Sequence, residues 1–296
     1  MTQTDILTKQ LNFHMTGEGF KNKEYDLKQL TKALTSVQGL VEKTYLYLND
    51  KDKFTKSDEK KLTIHIKDIR PGSFQATLDV VMNQVILPVT PLLTAMSPED
   101  IWNLIKETFN YLKVVLGARK KGEKVIVKNV GNGNVSVFIN GTDNAVNFNG
   151  IIPGLAKNLS SGFMELSKTV NSDEVDSVMI SDAGIENGIV MDEFSRNIFK
   201  NQPILEKETI EICAVITAID GDKYSGILKV ENEDKDVPQG SYRFSFIDTD
   251  TIPINELRDA FMNDRYFTCL LKKKMNTKDL TEEIVEIKVV DMNKVA

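Results

Sequence analysis

The sequence predicts an α+β protein: an N-terminal unit with antiparallel sheet and three main helices, then a small SH3-like or OB-like β-barrel. Two observations lead there. Segments of strand period and helix period follow one another as β-α-β-β-α-β-β-β-α-β-β, without the regular βαβ alternation of a doubly wound sheet. Beyond residue 208 the texture changes to strands, with one short helix before the fourth. The 296 residues suffice for two domains, placed at 1–200 and 208–296, with a polar, Pro203-containing linker at 201–207.

The first element, "KQLNFHM", is a strand with Leu11, Phe13 and Met15 on one face. A helix follows, with Asp26 as N-cap and Leu27, Leu30, Leu34, Val37, Val41, Thr44 and Leu48 spaced three and four apart. That stripe fits a core helix of this chain. Such a stripe more often marks a core helix than a seam between subunits, but the heptad spacing makes self-association through Leu27, Leu30, Leu34, Val37 and Val41 one expectation. Two strands come next, Leu62-Ile64-Ile66 and Phe74-Ala76-Leu78-Val80-Met82, each burying its even-numbered face. Ile69 is out of phase, so the first of them must bulge or end near Asp68. Pro71-Gly72 favours a type II turn, and "RPGS" is read as a structural corner that leaves only Arg70 unexplained.

Ser97, Pro98, Glu99 and Asp100 start the next helix, and Ile101, Leu104, Ile105, Thr108, Phe109, Leu112, Val115 and Leu116 form its buried stripe. "RKKG" at 119–122 closes it with positive charge and a glycine. Three short strands lead to a helix carrying Ile152, Leu155, Leu159, Phe163, Leu166 and Val170, and two strands follow. The barrel strands are "TIEICAVITAI", "YSGILKVEN", "SYRFSFIDTD", "RYFTCLLKKK" and "EEIVEIKVV".

Composition narrows the chemistry. With 41% hydrophobic and 27% charged residues and a net charge of -6, the chain reads as a soluble protein without a whole-surface footprint for nucleic acid or anionic membrane. "MTQTDILTKQ" lacks the pattern of a secretory signal, and no apolar stretch is long enough to span a bilayer, so a cytoplasmic protein with no membrane partner is expected. Cys213 and Cys269 stand far apart and His14 and His65 fall on strands, which offers neither a disulfide framework, a zinc site nor a nucleophile–base pair. "GNGNVS" lies between strands and is a hairpin turn rather than a phosphate loop. No metal, no cofactor and no catalytic residue is therefore expected.

Two exceptions keep a chemical reading open. Glu286 and Lys288, two apart on a strand, have the spacing of a metal-dependent nuclease pair, although any amphipathic strand produces it too. Lys272, Lys273 and Lys274, with Tyr266 nearby, offer phosphate contacts and stacking to a nucleic acid.

"LNFHMTGEGF", the strand pair around "IRPGSF", the helix "SPEDIWNLIKETFNYL", the strand "NVSVFIN" and the terminal barrel together resemble a group of two-domain proteins of bacteria, phages and mobile elements. That resemblance covers most of the chain and carries no assigned activity. It implies a role in phage–host conflict. The expectation is thus a non-catalytic protein that assembles with itself or a protein partner, with nucleic-acid binding by the barrel as the alternative and the nuclease as the second.

Overall fold

The computed structural model describes residues 4–20, 25–70, 73–85, 97–131, 133–140, 145–171, 173–182, 188–231, 236–248, 254–276 and 281–294. The chain divides into two compact units, Met1–Asn201 and Gln202–Ala296.

In the first unit the elements are β1 (Thr4–Thr16), α1 (Leu27–Leu48), α2 (Lys56–Glu59), β2 (Leu62–Arg70), β3 (Phe74–Val85), α3 (Pro98–Lys120), β4 (Val125–Gly131), β5 (Asn134–Ile139), β6 (Ala145–Asn149), α4 (Ile152–Ser167), β7 (Ser177–Asp182), β8 (Gly188–Met191) and α5 (Glu193–Phe199). The expected order is present, with the short α2 and α5 added. One antiparallel sheet runs β2-β3-β1-β7-β8, and β4-β5-β6 form a second.

β1 sits in the middle because its alternation serves two environments. Leu11, Phe13 and Met15 are buried, while Gln10, Asn12, His14 and Thr16 point the other way. It pairs with β3 from Thr4↔Val85 to Met15↔Phe74 and with β7 from Leu11↔Asp182 to Thr16↔Ser177. α3 packs against β1, β3 and β8, and α1 and α4 pack on α3 and on each other. The start of α3 is secured by a capping box: the Ser97 hydroxyl accepts from the Asp100 backbone at 3.2 Å and Asp100 accepts from the Ser97 backbone at 2.8 Å.

β2 bulges where expected, with a register shift between Lys67 and Arg70 and Asp68 at a φ of 50°. Its even-numbered face is buried only at Leu62, however, and Ile66 is 46% exposed. As the edge strand of the sheet, β2 leaves the cover of the core along its length. The Pro71-Gly72 corner lies outside the described residues.

α1 and α4 run antiparallel at close range. Gly154 faces the Tyr47 hydroxyl, Gly162 faces Leu40, and Lys43 Nζ donates to Ser161 Oγ at 2.8 Å. The stripe offered as a subunit seam is largely used up in this packing. Val37 and Val41 are buried within their own chain, and Leu30 and Leu34 are half-buried. α4 stops at Ser167, so the first turn of α1 projects past it and leaves Leu27 74% exposed.

The second unit contains β9 (Ile204–Leu205), β10 (Ile210–Asp220), β11 (Ser225–Val230), β12 (Gly240–Phe246), α6 (Ile254–Ala260), β13 (Asp264–Met275) and β14 (Glu282–Lys294). β10-β11-β12-β14-β13 closes on itself through β10–β13 pairing, with β12 and β14 parallel and every other pair antiparallel. Among the two barrel types expected, this Greek-key order with a helix before the fourth strand is that of an OB-type barrel. Ile212, Ile216, Leu228, Phe244, Phe267 and Ile287 fill it, and Leu257 and Ala260 of α6 join the same core. Ile204 and Leu205, expected in a linker, pair with Lys273 and Lys272 and so extend this sheet.

The close approach of α1 and α4 separates two glycine substitutions. At Gly39, in mid-α1, an added Cβ meets nothing within 4 Å, so Gly39→Ala is expected to stabilise by about 0.5–1 kcal/mol through helix propensity. At Gly162 the Cβ would lie 2.8 Å from Leu40 Cδ2, and overpacking of about 1–3 kcal/mol outweighs that gain. Urea-unfolding midpoints should move in opposite directions.

Candidate functional site

The barrel exposes one face with a concentrated set of charges. Strand alternation turns Ser225 and Ile227 of β11, Arg243 and Ser245 of β12, Lys272 of β13, and Glu286 and Lys288 of β14 away from the core. The ladders place Ser225 beside Ser245, Ser245 beside Lys288, Ile227 beside Arg243 and Lys272 beside Glu286. A groove of about 510 Å³ runs over them, bordered by Ser225, Ile227, Arg243, Lys272 and Glu286. Gly226 lets β11 approach β10 here, since a Cβ would stand 2.0 Å from the Ala218 carbonyl oxygen.

Glu286 organises the charges. It accepts from Lys272 Nζ at 2.9 Å and from Ser245 Oγ at 2.8 Å, and pairs with Lys288 at 2.8 Å. Partial burial pushes its carboxyl up, but the hydrogen bonds from Lys288, Lys272 and Ser245 outweigh this and hold it at about 2. Arg243 is exposed and meets no carboxylate among the described residues. Among the described residues, this face of β11, β12, β13 and β14 therefore sets Arg243, Lys272 and Lys288 around the single carboxylate of Glu286, and Arg243 and Lys272 border the groove.

The lysine run expected as a single basic patch is split. Lys272 joins the groove, while Lys273 turns to Glu206 at 2.8 Å and Glu282 at 3.9 Å, and Lys274 stands opposite Glu283. A register shift between Lys272 and Lys273 accompanies the division. Tyr266 lies six positions back along β13, roughly 20 Å away at strand rise, beside Cys213 and Asn293. Arg243 is the groove residue that sequence reasoning missed. As for the nuclease spacing, Glu286 and Lys288 form an ion pair, and both carboxylate oxygens are engaged. No group of three His, Cys, Asp or Glu side chains is placed to hold a metal among the described residues.

Comparisons with protein-family models, curated proteins and solved structures find no match. No helix among the described residues is long and apolar enough to cross a membrane.

The first unit has a second unpacked surface, on the side of its large sheet opposite α3. Two rows of polar side chains cross the central strands there: Lys67-Thr77-Asn12-Ser181 and Arg70-Gln75-His14-Met179. Ser73 Oγ lies 2.7 Å from His14 Nε2, and Gln75 Nε2 donates to the same nitrogen at 3.3 Å. A groove of about 320 Å³ lies over Asn12, His14, Arg70, Gln75, Thr77 and Ser181. On either side of Pro71-Gly72, Arg70 borders this groove and Ser73 bonds to His14. The sequence signal was the polar half of the alternation in "LNFHM" and "FQATLDV". The Ser73–His14 contact has no third member at Nδ1 among the described residues, unlike a nucleophilic triad.

Burial lowers the His14 pKa from its ordinary 6.5. Protonation is disfavoured in the folded chain, so the stabilising effect is complete above 6.5 and is lost as pH falls through the folded value. An NMR titration should show the His14 imidazole with a midpoint below 6.5, and His14→Gln should flatten the fall in urea stability on the acid side.

Proposed function

We propose that this is a non-catalytic binding protein whose barrel holds single-stranded nucleic acid along the β11–β12–β14 face. The observation that carries the reading is the groove bordered by Arg243 and Lys272, on a strand face where these two and Lys288 surround the single carboxylate of Glu286, the surface that OB-type barrels use for oligonucleotides. The guanidinium and ammonium groups suit phosphate oxygens, and the Ser225 and Ser245 hydroxyls suit phosphate or sugar. No aromatic ring belongs to the outward-facing set, so contacts to the strand backbone dominate and sequence preference is slight. The barrel unit carries more acidic than basic residues, which makes the attraction local and removes long-range steering.

Fluorescence anisotropy with a single-stranded oligonucleotide tests this. Binding is expected at about 10⁻⁴–10⁻⁵ M in moderate salt, with a log–log salt slope of about −2 for three cations. Lys272→Glu and Arg243→Ala should each weaken it. Glu286→Gln should strengthen it, because it frees two lysines from their competing partner. Absence of binding at low salt, or indifference to all three substitutions, rejects the reading.

Self-association retains one support, the exposed side chain of Leu27 at the head of α1, set on a shallow surface with Lys28, Thr31, Lys32, Thr35 and Glu165. A concentration-dependent mass in light scattering, abolished by Leu27→Glu, is the expected result. A constant monomer mass counts against it.

A further inference from the structure

The groove on the large sheet differs in chemistry from the barrel face, and its reading is independent of the barrel. Asn12 and Gln75 set two carboxamides on adjacent rows of neighbouring strands. A carboxamide pairs a donor with an acceptor at the spacing of a nucleobase edge. Gln75 spends its N–H groups on His14 and Ser73, at 3.3 and 3.5 Å, which leaves its carbonyl oxygen to accept from a ligand. Asn12 is exposed and brings both a donor and an acceptor.

Charge and size narrow the class. Arg70 is the one cation bordering the groove, is exposed, and meets no carboxylate among the described residues. A guanidinium matches one phosphate by paired hydrogen bonds. Asp68 also borders the groove, so no surplus of positive charge exists for a polyphosphate. Met179 closes the row that begins at Arg70, and a thioether packs well against an aromatic ring. At about 320 Å³ the space is at the small end of small-molecule sites, which suits one nucleotide rather than a strand.

We propose that this groove binds a mononucleotide, with its phosphate on Arg70 and its base edge on the Asn12 and Gln75 carboxamides. The base then lies against Met179.

The test uses the full chain with its methionine methyls labelled with carbon-13. Adenosine, guanosine, cytidine and uridine monophosphates are titrated separately, beside ribose 5-phosphate and inorganic phosphate. A saturable shift of the Met179 methyl with at least one mononucleotide is expected. Arg70→Ala and Asn12→Ala should each weaken it by roughly 10- to 100-fold, the loss of one or two good hydrogen bonds. Both residues are exposed, and an unchanged melting temperature checks that these variants fold. The barrel substitution Lys272→Glu should leave the shift intact, which separates this site from oligonucleotide binding by the barrel. The proposal is overturned if no nucleotide produces a saturable shift at millimolar concentration. It is equally overturned if inorganic phosphate or ribose 5-phosphate binds as well as the nucleotides, or if both groove substitutions have no effect.

Discussion

The register of β1 is the constraint on which the first unit depends. This strand is paired along both edges, with β3 over its whole length and with β7 over its second half. Its side chains separate strictly by parity. A slip of one residue would carry Leu11, Phe13 and Met15 into water and drive Asn12 and His14 against α3. Turn chemistry does not set that register, because neither partner is joined to β1 by a hairpin. Burial of the odd-numbered face sets it, helped by α3, which lies across three strands at once.

Both grooves are by-products of the same rule. An antiparallel sheet buries one face and leaves the other to polar side chains, and a closed barrel does likewise on its outer wall. On the barrel, closure between β10 and β13 removes free edges, so a ligand can meet only outward-pointing side chains. On the large sheet, Thr77, Asp79 and Ser181 are almost fully buried although they lie on the polar side. Long neighbours such as Gln10 and Lys67 fold over them: both reach Asp79, and Lys67 forms its ion pair. Glu286 plays the matching part on the barrel, where it gathers lysines from two strands into one arrangement.

Much of the fold was legible because it is written in local period. Every main helix and strand of the first unit was found by spacing, as were the bulge near Asp68, the Ser97 cap and the helix preceding the fourth barrel strand. What local period leaves open is the identity of partners in space. Val37 and Val41 have the spacing of a subunit seam, but spacing is silent on whether the opposing helix belongs to the same chain. Lys272 and Lys273 are adjacent in sequence, yet different acidic neighbours, Glu286 on β14 and Glu206 just after β9, draw them apart. The Arg70–Ser73–His14 grouping required residues 59 positions apart to meet, and no local pattern encodes that. Arg243 was overlooked for the opposite reason, as a single charge in a strand of ordinary alternation.

The pairing of β1 with β7 has a consequence for synthesis. β3 can zip onto β1 early, but the strand that covers the other edge begins only at Ser177. At ribosomal rates of about 5–20 residues per second, the intervening stretch of about 90 residues takes roughly 5–20 s to appear. During that interval the nascent chain holds a long, half-greasy ribbon with a bare hydrogen-bonding margin, a template for unwanted pairing. The hydrophilic half of β1 then acts as a safeguard, keeping the unfinished ribbon from stacking on its own kind before the missing strand arrives.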